Sequence, residues 1–285
     1  MPIRPAAAAA LLAVLAACGG AAAGSSAEQV EPLDPERRGP QGRVAQFVVD
    51  CELSHYAFDD AIVAPNLPGA SHQHQFFGNI DVDDRDDYDR VLGADTTCDQ
   101  PLDTASYWTP TLLDPSGNVV EPLGLTAYYR PGRGIDPAEV VPYPPGLMLI
   151  GGDAGAAEDQ STDVVAWSCG TGAIRDVEPP SCPEGGSLRM LVTFPDCWDG
   201  ERLTGFGSGA HVRYSDGGCP DGFPAAIPQL TIAVDFPPVD PEGLTLSSGS
   251  ILTGHADFWN VWDQEKLERE VELCINRDVV CGVSS

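Results

Sequence analysis

The chain has 285 residues, with 43 Asp and Glu against 15 Lys and Arg, for a formal net charge of −28. A body so acidic excludes polyanions such as nucleic acid as partners, and it is repelled by anionic membrane surfaces. With 31 glycines and 26 prolines, long helices are excluded over most of the length.

The N-terminus reads as an export leader. Arg4 supplies a short positive region, and Ala6 to Ala17 form an apolar run too short to span a membrane in the mature protein. Leu15-Ala16-Ala17-Cys18 resembles the lipobox of bacterial lipoproteins, whose cysteine becomes the lipidated first residue. The expected organisation is a leader over 1–17, then lipidated Cys18 and a flexible tether over 18–43. The tether is rich in Gly, Ala, Pro, Ser and charge and lacks apolar periodicity. One domain is expected over 44–285, large enough for its own core. The localisation that follows is extracytoplasmic, with the lipid as the membrane anchor.

Without Cys18 eight cysteines remain, an even number in an exported chain, which argues for four disulfides. Pairing neighbours gives Cys51–Cys98, Cys169–Cys182, Cys197–Cys219 and Cys274–Cys281. Zinc held by thiolates is the weaker alternative, because the sequence has no C-x2-C pair.

Short β-branched and aromatic runs, separated by Pro and Gly, predict strands along the domain. They are "VAQFVVD", "YWTPTLL", "LTAYYR", "GLMLIGG", "VVAWSC", "LRMLVTF", "HVRYS", "QLTIAVDF" and "LTLSSG". Near the C-terminus, "DQEKLEREVELCIN" places Leu267, Val271 and Cys274 at helical spacing behind Asp263 as N-cap. The fold class is therefore mainly β: an antiparallel sandwich or jelly-roll-like domain with long disulfide-stapled loops and a short C-terminal helix. "NIDVDDRDDYDR" (79–90) begins like a calcium loop. It fails at Asp84, where glycine is needed, and at Arg90, where the bidentate Glu belongs, so it reads as a solvated acidic loop.

Four clusters hold the residues able to carry chemistry. In "SHQHQFFGN" (71–79), His72 and His74 would point to one face of a strand, where two imidazoles can share a metal or divide acid and base duties. In "FPDCWDG" (194–200), Trp198 flanked by Asp196 and Asp199 offers a platform for a sugar, or simply packs on a disulfide. In "HVRYSDGGCPDGFPAAIPQL" (211–230), His211 and Arg213 would share a face beside Tyr214, and Arg213 could grip a carboxylate. In "GHADFWNVWD" (254–263), Asp257 could orient His255, with Trp259 alongside.

Together, and in this order, the four motifs resemble a widespread exported domain of unknown function, DUF1996. It occurs in actinobacteria and fungi, where it can stand beside carbohydrate-binding WSC modules. The resemblance covers roughly 44–276. Two departures stand out: Val261, where glycine is common in relatives, and Gly222-Phe223-Pro224, where many relatives carry a second His-Pro step. The resemblance implies export, one domain, and a polar site built from the histidine motifs, and the WSC company implies cell-wall glycan.

Four of the five histidines fall in these motifs. The expected site is one pocket of His72, His74, His211 and His255, with Asp257 orienting a histidine and Trp198, Trp259, Arg213 and Tyr214 as substrate contacts. His72, His74 and His211 are the expected ligands of one divalent transition metal, since imidazoles suit zinc or copper better than calcium. The partner is an extracellular polysaccharide or cell-wall glycan. Three readings stay open: a hydrolase or lyase using His/Asp acid–base or metal chemistry, a non-catalytic glycan-binding or adhesin module, and a structural envelope lipoprotein whose histidines only rigidify loops. No P-loop, HExxH, nucleophile elbow or dinucleotide fingerprint is present.

Overall fold

The computed structural model describes residue 1 and residues 45–281 except 86, 173, 206 and 208. Apart from Met1, the expected leader, Cys18 and the tether lie outside the described residues. In chain order the elements are β1 (Phe47–Cys51), β2 (Leu53–Ala57), β3 (His74–Gly78), α1 (Tyr88–Val91), β4 (Ser106–Pro110), β5 (Leu112–Leu113), β6 (Gly124–Arg130) and β7 (Met148–Gly152). There follow β8 (Val165–Cys169), β9 (Leu188–Thr193), β10 (Cys197–Trp198), β11 (Val212–Arg213), β12 (Ala225–Ala226), β13 (Gln229–Phe236), β14 (Thr245–Leu246), β15 (His255–Trp259) and α2 (Gln264–Glu270).

Two five-stranded antiparallel sheets carry the architecture, ordered β1-β6-β13-β9-β8 and β2-β3-β4-β15-β7. Alternation along each strand decides which side chains meet. In the first sheet Phe47, Val49, Leu125, Ala127, Tyr129, Ile232, Val234, Met190 and Val192 face inward; from the second come Phe77, Tyr107, Leu149, Ala256 and Phe258. All are buried in one core, so the sheets form a sandwich.

The outer face of the second sheet is covered as well. Phe76, Trp108, Met148 and Trp259 project there and pack with Ala61, Ile62, Val82 and Val91 from two long loops, giving a second, smaller core. The β2–β3 and β3–β4 connections thus form a layer over the sheet. Asn79 stitches it down, donating from Nδ2 to the carbonyls of Val91 (2.9 Å) and Thr104 (2.8 Å). Within the acidic stretch of this layer Asp83 is compensated, pairing with Arg85 and Arg90, and Arg90 Nη1 donates to the Asp81 carbonyl at 2.6 Å.

Four disulfides join Cys51–Cys98, Cys169–Cys182, Cys197–Cys219 and Cys274–Cys281. Cys51–Cys98 ties the loop layer to β1. The C-terminal helix starts where the cap predicts, with Asp263 Oδ1 accepting from Lys266 N at 2.9 Å. Its α-helical part is shorter than the apolar spacing predicts, because Val271–Ile275 winds as a π-turn. Cys281 N then donates to Gln46 O at 2.8 Å, closing the C-terminus on the start of the domain.

Candidate functional site

His74 opens β3 and His255 opens β15, on the outer face of the second sheet with β4 between them. Asp257 lies two residues along β15 from His255, so it shares that face. His72 lies just before β3, outside the strand. The three imidazoles still converge: ring centroids are 4.2 Å apart for His72–His74, 5.0 Å for His72–His255 and 6.0 Å for His74–His255. One ligating atom of each lies within 4.8 Å of the other two. Asp60, His74 and Asp257 form a second such group by the same measure.

Backbone carbonyls fix which nitrogen faces inward. His74 Nδ1 lies 3.0 Å from Asp59 O, and His255 Nδ1 lies 2.8 Å from Thr253 O. A carbonyl only accepts, so each Nδ1 carries the proton and each Nε2 presents its lone pair. The Nε2 atoms of His72 and His74 are buried without a hydrogen-bond partner, as are both carboxylate oxygens of Asp257. His74 and Asp257 are almost completely shielded from solvent, at 0% and 1% exposure, whereas His72 is half-buried.

Burial sets the protonation states. It pushes His72 down to about 4, with the His255 charge acting the same way. It holds His74 well below the ordinary histidine value, helped by His72 and His255, and lowers His255. Burial, then the neighbouring Asp60 charge, raises Asp257 far above the carboxylate range. Asp60 is raised by burial against the opposing hydrogen bonds from Val63 and Ile62. Neutral imidazoles thus face carboxyls that resist ionisation.

The expected four-histidine pocket is corrected in one member. His211 is not in the convergent group. Its Nε2 is 2.8 Å from Met148 O, and Met148 pairs with Trp259 while His255 pairs with Gly152. That is four residues along the strand, roughly 13 Å at the usual rise. In the convergent trio His255 stands where His211 was expected. Asp257 does not orient His255: its Oδ2 lies 4.0 Å from Nε2, and the Thr253 carbonyl fixes the ring instead.

Trp259 is also corrected as a substrate contact, being 1% exposed within the outer core. Trp198 is half-buried against the main core, and its Nε1 donates to Arg202 O at 2.6 Å. Arg213 lies over the Phe223 ring at 5.1 Å, and Tyr214 donates to Thr193 O at 2.8 Å. Both line a cleft of about 520 Å³ together with His211, Ile62, Ile150 and Gly152. That cleft adjoins the cluster, since Gly152 pairs with His255 and Ile62 follows Asp60 by two residues.

Sequence reasoning missed Asp60. The available signal is local: in "DDAIV", Asp60 Oδ1 accepts from the N–H groups of Ile62 (2.8 Å) and Val63 (2.9 Å), a turn-capping habit of aspartate. The fifth histidine, His55, stays outside the cluster, stacked on Phe76 with centroids 4.6 Å apart.

No curated protein and no solved structure matches the chain. A family model described as "Domain of unknown function (DUF1996)" matches residues 60–262, well over half of the chain and a span containing Asp60, His72, His74, His255 and Asp257. The histidine–aspartate cluster and the cleft beside it therefore lie within the matched region, and the chain belongs to the DUF1996 family.

Proposed function

We propose that this domain acts on an extracellular polysaccharide as a hydrolase or lyase, outside the cytoplasm and tethered through a lipid on Cys18. The observation that carries the reading is the convergence of His72, His74 and His255 beside the buried Asp257 and Asp60. Cleaving a glycosidic bond, by water or by elimination, needs one group that takes a proton and another that gives one. Environments that hold imidazoles neutral and carboxyls protonated supply that division. The adjoining cleft has room for sugar units; Ile150 and Val63 offer exposed apolar surface, and His211, Arg213 and Tyr214 add polar contacts. Four disulfides fit work in an oxidising compartment.

The test is turnover of a panel of wall and extracellular polysaccharides by the wild type and by His72→Ala and His255→Ala. Turnover that falls at least 100-fold in both variants (on the order of the loss of one acid–base group) supports the reading. A wild type that cleaves none of the panel sinks it. Glycan binding without cleavage, unchanged in both variants, points instead to the adhesin or binding-module reading.

A further inference from the structure

We propose that His72, His74, His255 and Asp257 form the donor set of a single divalent transition-metal ion of the zinc class, with Asp60 as a second carboxylate behind it. This deepens the reading above and rests on the same pocket. With an ion bound, Asp257 would be ionised and the three imidazoles would serve as ligands, leaving Asp60 as the carboxyl able to give a proton and the ion to supply Lewis-acid chemistry. The two readings are tested separately. Three independent features point to a cation.

The first is convergence. A tetrahedral ion with bonds of roughly 2.0–2.2 Å places its donors about 3.3–3.6 Å apart. One atom from each histidine already lies within 4.8 Å of the others, and Asp257 Oδ2 lies 4.0 Å from His255 Nε2. Asp257 groups with His74 and Asp60 rather than with all three imidazoles, so the side chains would draw in from both groups to complete the shell around an ion.

The second is orientation. In metalloproteins a ligating imidazole usually donates its other N–H to a carbonyl or carboxylate, which fixes the tautomer and aims the lone pair. His74 does this to Asp59 O and His255 to Thr253 O. Two histidines from different strands are thus oriented toward one another by backbone carbonyls.

The third is the cost of leaving the site as bare protein. Buried polar atoms nearly always have partners. Here Nε2 of His72, Nε2 of His74 and both oxygens of Asp257 have none, and His74 and Asp257 are at least nine-tenths buried. A cation bound among them would give partners to His72 Nε2, His74 Nε2 and one oxygen of Asp257.

The donor chemistry narrows the ion. Calcium takes six to eight oxygens and magnesium keeps most of its waters, which a set dominated by imidazole nitrogen does not provide. Three imidazoles and one carboxylate suit zinc and its first-row neighbours. Thiolate is not on offer, because the eight cysteines among the described residues are all in disulfides. For the same reason the proximity of Cys51, Cys98 and Asp103 is no ion site. His72 is the solvent-side ligand, so ion entry and any open coordination position lie on its side.

Loading the purified full-length chain with Zn(II) or Co(II), dialysing it and counting metal by mass spectrometry should give one equivalent per chain. The Co(II) form should show the ligand-field absorption of nitrogen and oxygen ligation. His72→Ala and Asp257→Asn should each weaken affinity by at least roughly 10- to 100-fold, the range seen even for groups that only support ligands, while His55→Gln binds as the wild type does. Asp257→Asn is nearly isosteric, and near-ultraviolet circular dichroism confirms that each variant is folded. Retention of less than a tenth of an equivalent by the folded wild type overturns the proposal, as does equal weakening in His55→Gln. A chain that binds the ion but cleaves no glycan refutes the polysaccharide reading alone. Glycan cleavage with no bound ion refutes the metal alone.

Discussion

Asp103 shows at one residue how burial becomes a pH dependence. It is fully buried, accepts from the Tyr107 hydroxyl at 2.7 Å, and is pushed up to about 8 by burial. Tyr107 in turn bonds Tyr129, which accepts from Trp262 Nε1 at 3.1 Å. The folded state therefore holds a proton that the unfolded chain releases near pH 4, so stability falls as pH rises from about 4 to about 8. One such group contributes at most about 1.4 kcal/mol per pH unit. Asp103→Asn should lose that slope: urea midpoints of wild type and variant should converge toward pH 8 if the variant starts lower at pH 5, and parallel curves would refute the account. Gly152 is a second such residue. It sits at φ +80°, and a Cβ there would fall 2.5 Å from Gly254 O and 2.9 Å from the His255 Cα. Gly152→Ala should cost upwards of about 1 kcal/mol and displace His255, read as a lower melting temperature together with reduced Zn(II) affinity. Neither position shows its role in the sequence, because the first depends on a chain of buried hydroxyls and the second on the approach of a neighbouring strand.

Among the elements, the strands were legible wherever both faces of a run carry apolar residues, as in "LRMLVTF" and "QLTIAVDF", now β9 and β13. "HVRYS" shrinks to the two residues of β11, its neighbours lying outside the ladder. β15 was visible only as a histidine motif, since its polar His255 and Asp257 point outward into a covered layer that the sequence does not announce. The site was half legible for the same reason. The motifs brought His72, His74 and His255 forward, but His211 carries an equally suggestive pattern and differs only in where β7 places Met148. The loop layer rests on Cys51–Cys98, which closes 47 residues. Replacing both cysteines with serine should remove about 4 kcal/mol by the loop-entropy relation. Guanidinium unfolding measures this directly, and a loss below about 1 kcal/mol would mean the layer is held by packing alone.

Over the whole molecule, a charge of −28 sets folded stability against self-repulsion. Screening works within about 10 Å at 0.1 M salt, so the melting temperature should climb between 10 mM and 500 mM sodium chloride. A flat or falling curve would show that the acidic groups are already compensated locally, as Asp83 and Asp235 are by their arginines. The two sheets also divide the labour unequally: the first packs against its partner and a thin outer patch, while the second is sandwiched between the main core and the stapled layer. The histidine site spans the boundary between that second sheet and its cover, taking His74, His255 and Asp257 from strands and His72 and Asp60 from the cover. An ion held there, as proposed above, would act as a clasp. Binding the ion would close the cover onto the sheet, and lifting the cover would release it. By linkage, an ion bound only by the closed layer would add RT ln(1 + c/Kd), with c the free ion concentration, to the free energy of opening it, so hydrogen exchange confined to residues 58–73 should slow on metal addition while the core strands stay unchanged.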